Sequence, residues 1–424
     1  MKTVEIVVIG FGDRADQYTK YAIKNPEKLK VKAVIDPNPY KRELAKERFS
    51  IPDSMLFEKM EDCLKLGKIA DAVINTTMDE LHIATAIPFL ELGYDMLLEK
   101  PVTNNKEELL RLTDIAQKNG CKLMICHVLR YAPFYLEIKK VLMSGEIGEI
   151  IEIESNEMVE IPHASASYVR GKWNNRDVCG SSMLLAKCCH DMDLLCWYNP
   201  DVKPAKVASF GGRYRYVPSK APMGAGTRCL VDCQIEETCP YSCRKMHLDN
   251  DCYPHYSFAC VNKKFEELTY EEKKASLESD NPHGRCIYKT EANVVDRQAV
   301  IVEFENGIIA THSMVAGVAR VGRWIHIIGT MGEIEGYAEQ NCFRVRVYQP
   351  ETCKYTEREI TIDCLASGDG HHGGDSRLVA DFVNLVTDQP RSISSTVIED
   401  SINGHLIVYA ADESLDNGGI RVMI

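Results

Sequence analysis

Through the first 126 residues, apolar positions come in short blocks separated by longer amphipathic stretches. Val4 with Ile6 to Ile9, Val31 to Ile35, Ala70 to Asn75, Asp95 to Leu98 and Lys122 to Cys126 are the blocks. Leu81 to Leu92, stopped by Gly93, and Lys106 to Asn119 lie between them at helical spacing. Short apolar strands alternating with helices predict an α/β domain over residues 1–126, built on a doubly wound parallel sheet. Ligands of such a sheet sit at the carboxyl ends of its strands.

Beyond residue 126 the runs lengthen and apolar residues alternate with polar ones, as in Ile150 to Glu154, Ala299 to Phe304, Ile308 to Met314, Val321 to Gly329 and Phe343 to Tyr348. Glu305-Asn306-Gly307 joins two of these runs as a hairpin signal. With helices such as Arg377 to Thr387 alongside, residues 127–424 are predicted to form a second α/β domain on a large open mixed or antiparallel sheet. A Cys-, Tyr- and Pro-rich insertion at about 212–293 interrupts it. There Thr269-Tyr-Glu-Glu272 reads as a capping box, and the charges from Lys263 to Asp280 as the solvated face of a surface helix.

The first strand runs directly into Gly10-Phe11-Gly12-Asp13-Arg14-Ala15, a G-x-G-x-x-A turn into a helix. The first glycine allows the tight turn, the second a close approach of backbone to pyrophosphate, and Ala15 close packing of helix on strand. Asp36 ends the second strand, where a carboxylate would take the ribose hydroxyls and repel a ribose phosphate. The reading is a Rossmann domain binding NAD rather than NADP. Thr76, Thr77 and His82 follow one strand end and Glu99-Lys100-Pro101 another, so they join the cofactor-binding set.

Composition narrows the partners. A net charge of -12 would repel a phosphate backbone, so nucleic acid is not an expected partner. No apolar run approaches a membrane span and the start lacks a signal-peptide core, which points to the cytoplasm. The 17 cysteines are then mostly reduced thiols. Cys229, Cys233, Cys239 and Cys243, spaced C-x3-C-x5-C-x3-C, leave a zinc or iron–sulfur site open beside that reading, and no metal is assigned.

The segment Ser181 to Trp197 is an apolar helix that admits Lys187, His190, Asp191 and Asp193. At about 100° per residue, Leu184, Leu185, Cys188, Met192 and Leu195 form an apolar stripe. Ala186, Lys187, His190, Asp193 and Trp197 fall on the other side. Lys187 and His190 are three apart, so the ammonium would lower the histidine's pKa, while Asp193 is placed to orient the ring. The alternative is that Lys187 pairs with Asp191.

The glycine loop, Asp36, T-T-x-D-E-L-H from Thr76 to His82, Glu99-Lys100-Pro101 and C-C-H-D-M-D together resemble the glucose-fructose oxidoreductase / inositol dehydrogenase / MocA family. The resemblance covers nearly the whole chain apart from the insertion. It implies an NAD-dependent oxidoreductase of a sugar or cyclitol CH-OH group, assembled as a homo-oligomer, dimer or tetramer. Lys100 matches the family's active-site lysine and His190 its acid or base. Hydride removal from a carbinol carbon needs such a base, and a cation beside the developing oxyanion. One departure stands out: the aspartate many members carry four residues before the histidine is Ala186 here, with Lys187 beside it as a further catalytic candidate. Arg130, Tyr168, Arg170, Trp173 and His372 are the candidate substrate contacts besides His190. Alternatives are an NAD-dependent redox glycosidase, which oxidises, eliminates and returns the hydride, and a non-catalytic NAD- and sugar-binding sensor.

Overall fold

A computed structural model describes residues 2–363 and 370–424, with His372 described by its backbone alone. In the first domain six parallel strands, β1 (Val4–Ile9), β2 (Leu29–Ile35), β3 (Leu56–Phe57), β4 (Ala72–Asn75), β5 (Asp95–Leu98) and β6 (Leu123–Ile125), lie in the order β3-β2-β1-β4-β5-β6. Strand order reverses between β1 and β4, which opens a ligand crevice at their carboxyl ends. Alternate residues of β1 feed different cores: Ile6 and Val8 pack on one face of the sheet, Val7 and Ile9 on the other.

The second sheet has nine strands: β7 (Ile150–Glu160), β8 (Pro204–Gly212), β9 (Arg297–Phe304), β10 (Ile309–Val318), β11 (Trp324–Gly329), β12 (Gly332–Tyr337), β13 (Cys342–Gln349), β14 (Lys354–Thr361) and β15 (Val422–Met423). Among the described residues only β7 and β10 pair in parallel; the other neighbours are antiparallel, which makes the sheet mixed. One face packs on the buried helix Cys189–Tyr198 and the helix Ile398–Asp416. The other face is open, with Phe210, Ile301 and Ile309 exposed.

Two features depart from the sequence boundaries. The helix expected at Arg377 to Thr387 spans Gly370–Val386, and its Leu378, Val379, Phe382 and Val383 pack into the core of the first domain. The chain therefore returns to the dinucleotide-binding half after completing most of the second sheet. Residues 213–296 leave between the paired strands β8 and β9, close to the predicted insertion. Arg170 anchors that excursion: its guanidinium donates to the Arg285 carbonyl at 2.8 Å and the Tyr241 carbonyl at 2.8 Å, and lies 3.7 Å from Cys229 Sγ. Cys229 and Cys243 pack with Leu248, Phe258, Leu268 and Leu277, whereas Cys239 packs with a different cluster. Cys229 and Cys243 share a side-chain hydrogen bond and Cys239 feels the charge of Cys229 and Cys233, but among the described residues the four sulfurs do not all lie within 4.8 Å of one another. Among the described residues, the one group of three candidate ligand atoms within 4.8 Å of one another is Cys188, Asp191 and His312.

Candidate active site

The glycine loop sits at the crevice. Gly10 has φ +78°, and a Cβ there would stand 2.9 Å from the Thr76 carbonyl oxygen. Thr76 Oγ1 donates to the Gly10 carbonyl at 2.6 Å, locking the loop after β4 against it. Around Gly12 a Cβ would meet nothing within 4 Å, and no side chain caps the helix Asp13–Lys24 that begins there. Its first amides are left for an anion. Asp36 is buried and accepts the Phe11 amide at 2.7 Å and the Asn38 amide at 2.8 Å, yet carboxylate oxygens retain lone pairs for ribose hydroxyls. These residues fit a dinucleotide.

Other members of the predicted cofactor set brace the crevice. His82 places its ring nitrogens 2.6 Å from the Pro101 carbonyl and 3.1 Å from that of Thr77. Thr77 Oγ1 donates to Asn75 Oδ1 at 2.9 Å. Arg14 donates to Glu99 at 2.8 Å and Asp375 at 2.6 Å, fastening three segments together. Burial pushes the Glu99 carboxyl up, but Arg14, Lys100 and the Tyr18 hydroxyl hold it below its ordinary value. It stays an anion behind Lys100.

Lys100 and His190 come from different domains. Lys100 follows β5, and its Nζ donates 2.7 Å to the carbonyl of Ala186, four residues before His190. Residues Leu184–Cys188 form a π-helical turn leading into the helix Cys189–Tyr198. At Ala186 the backbone itself receives the lysine. His190 is buried and, among the described residues, its Nδ1 has no hydrogen-bond partner. Burial, then the charge of Lys100, His127 and Arg323, holds its pKa well below the ordinary histidine value. It is a neutral imidazole.

The polar residues around it take partners that helical spacing did not predict. Asp193 does not orient His190; it forms a two-pronged pair with Arg130, at 2.7 and 2.6 Å. Lys187 does not pair with Asp191 either. It lies 3.2 Å from Glu157, while Asp191 accepts from Arg323 at 2.9 Å. Arg323 also sits 2.6 Å from Glu157, so two cations and two carboxylates close a neutral network. The two-faced helix gives way to one in which every residue from Cys189 to Tyr198 is buried.

Of the expected substrate contacts, Arg130 and Arg170 spend their guanidinium groups internally; Arg130 also donates to the carbonyls of Ser395 and Asp400. Tyr168 and Trp173 lie together, ring centres 6.2 Å apart, and the indole N–H donates to Asp79 at 3.1 Å. His372 lies outside the described side chains. Several site residues escaped sequence reading. His371 stands 6.5 Å from His190, centre to centre. Lys172 lies over Trp173 at 4.2 Å, and burial pushes its ammonium down against the pull of Asp79, Asp13 and Glu99. Tyr256, from the insertion, meets Trp173 edge-on at 6.0 Å, near enough to Asp13 and Arg14 to feel their charge. Farther along the insertion, Asn262 accepts from Asn38, two residues past Asp36, at 3.0 Å. The S-Y-V-R-G-K-W stretch carried a local signal for Lys172, and His371-His372-Gly-Gly-Asp375, read as a helix cap within reach of substrate through His372 or Asp375, carried one beside His371; Tyr256 and Asn262 are brought in by the chain's path.

Residues 4–127 match the family described as oxidoreductase family, NAD-binding Rossmann fold. YteT of Bacillus subtilis, named as an oxidoreductase, is 24% identical over 83% of this chain and 81% of its own. Inositol 2-dehydrogenase of Corynebacterium glutamicum is 24% identical over 55% of this chain and 64% of its own length. A levoglucosan dehydrogenase solved with NADH and levoglucosan superposes with a TM-score of 0.70 at 16% identity, over 100% of this chain and 99% of that one. The parallel sheet with its glycine loop agrees with that likeness: residues 4–127 are a Gfo/Idh/MocA-type NAD-binding Rossmann domain, and the chain is an NAD-binding oxidoreductase related to inositol and sugar dehydrogenases.

Proposed function

We propose that the protein transfers hydride between NAD and a CH-OH carbon of a sugar, cyclitol or derivative. The observation that carries this reading is the anchoring of the Lys100 ammonium on the backbone four residues before His190, which sets a fixed cation beside a neutral imidazole. His190 takes the hydroxyl proton, and Lys100 stabilises charge growing on the oxygen. The bound nicotinamide supplies the hydride acceptor. Lys187 acts through Glu157 and Arg323, keeping neutral the floor on which His190 sits. Tyr168, Trp173 and the insertion's Tyr256 offer aromatic faces for a sugar ring. The open sheet face with Phe210, Ile301 and Ile309 supports a homo-oligomer; a monomeric mass by light scattering would remove that part of the proposal.

Lys100→Ala and His190→Ala are each expected to lower turnover by about two orders of magnitude or more, with NADH binding retained by fluorescence titration. Incubation with NAD and a panel including myo-inositol, levoglucosan and common hexoses gives the rates. Unchanged turnover in either variant rejects the assignment. A second reading, the redox-neutral glycosidase, is favoured by the insertion, whose Tyr256 and Asn262 lie beside the cofactor loops and suit a cofactor that stays bound. Release of aglycone from a glycoside without net NADH supports it; stoichiometric NADH excludes it.

A further inference from the structure

We propose that His371, oriented by Asp375, is the residue through which protons pass between buried His190 and solvent. The proposal rests on the oxidoreductase reading in which His190 is the base. No carboxylate of its own helix serves His190: Asp191 is taken by Arg323, Asp193 by Arg130, and the position four residues earlier is alanine. Burial and surrounding cations disfavour an imidazolium there. A proton accepted from substrate therefore has to move on before the next turnover.

The carboxylate–imidazole pair missing from that helix is present on another one. Asp375 Oδ2 lies 3.1 Å from His371 Nδ1, and Asp375 Oδ1 accepts from Arg14 at 2.6 Å. Burial pushes the Asp375 carboxyl up, yet Arg14 and His371 hold it well below the usual carboxylate range. It is an anion, so His371 presents Nδ1–H to it and leaves Nε2 as the basic atom. The His371 side chain is 40% exposed, in contrast to His190, and its backbone holds φ +50°, a left-handed conformation unusual outside glycine. The ring faces His190 on Cys189–Tyr198, Asp375 on its own helix and, through Asp375, Arg14. It also borders a cavity of about 120 Å³ with Tyr135, Arg323 and Glu339.

As hydride leaves the carbinol carbon for nicotinamide, the O–H bond breaks and its proton binds His190. The N–H bond at His190 then breaks as one forms at His371 Nε2, and water removes that proton. The ring-centre separation of 6.5 Å is a span that one hydroxyl or water bridges. One hydroxyl thus yields one hydride and one proton, and both histidines end neutral.

The test is nitrogen NMR of histidine-labelled full-length protein with NAD, between pH 5 and 9, without need of substrate. The His190 signal, identified by its loss in His190→Gln, is expected to change with pH in wild type and to lose part of that change in His371→Gln. Asp375→Asn is expected to abolish the Nδ1–H form of His371. A His190 curve identical in wild type and His371→Gln overturns the relay, and an Nε2–H form of His371 in wild type overturns its orientation by Asp375. Either result leaves the parent reading standing. That reading falls instead if His190→Ala turns over normally.

Discussion

At Gly10 one missing Cβ sets the distance between two loops of the crevice. Alanine there would stand 2.9 Å from the Thr76 oxygen and would have to adopt φ +78°, which costs about 1–2 kcal/mol for a residue with a side chain. The loop after β4 must retreat, and Thr76 loses its bond to the Gly10 carbonyl. We expect Gly10→Ala to weaken NADH binding at least about tenfold, roughly 1.4 kcal/mol, while circular dichroism stays native. Unchanged affinity by fluorescence titration would show that the loop does not cradle the dinucleotide. The glycine loop and Asp36 were legible in the sequence as a strand–turn–helix and a strand end because both are local features. The partners of Lys187 and Asp193 were not, because a long charged side chain reaches across elements. Asp193 is met by Arg130, 63 positions away, and Lys187 by Glu157 on a strand of the second sheet.

At the scale of the element, the helix Cys189–Tyr198 is sustained by packing on every side and by paired charges. The π-helical turn at Leu184–Cys188 precedes it, so a uniform 100° rotation misplaces residues across that junction. Its buried Asp193 depends on Arg130. Arg130→Met should cost about 3–5 kcal/mol by stranding a buried carboxylate, and Arg130→Met with Asp193→Leu should recover most of that loss. Urea unfolding of the three proteins checks it. A single variant as stable as wild type would mean that Asp193 finds another partner. The strand Lys354–Thr361 shows the opposite limit of sequence reading: almost wholly exposed at the sheet's edge, it carries no apolar alternation to predict it from.

Across the whole molecule, buried histidines couple stability to pH. Burial first, with neighbouring cations in most cases, lowers the pKa of His127, His190 and His312, of His163 to about 2, His247 and His405 to about 3, and His283 to about 4. Each is neutral when folded and charges near pH 6.5 when unfolded. The unfolded chain therefore binds more protons below that point, and stability present above it is lost as pH falls toward the folded values. Each histidine contributes up to about 1.4 kcal/mol per pH unit in that window. Asp412, raised to about 6 by burial, acts in the opposite sense as pH falls through its folded value. Burial also raises Asp95 and Asp193, which act in the same sense as Asp412; seven histidines outweigh these three aspartates, so the urea midpoint should drop from pH 7 to pH 5, and a flat profile would contradict the burial of these rings.

The strands β1, β2, β4, β5 and β6 of the first domain, its glycine loop at a strand-to-helix turn, and the placing of Asp36 and Glu99-Lys100-Pro101 at strand ends were legible in the sequence alone; the two-residue β3 and the helices Pro39–Phe49 and Met60–Leu64 were not. Each legible feature follows from spacing within a few residues, which the backbone enforces wherever the segment lies. The tertiary structure decided which residues share the site. It returned the helix Gly370–Val386 to the first core, and with it the His371–Asp375 pair. It laid Tyr256 of the insertion beside Trp173, and gave each buried charge on the central helix a partner from another element. A buried charge must find an opposite charge or change its ionisation, but local periodicity says nothing about where in a folded chain that partner will come from.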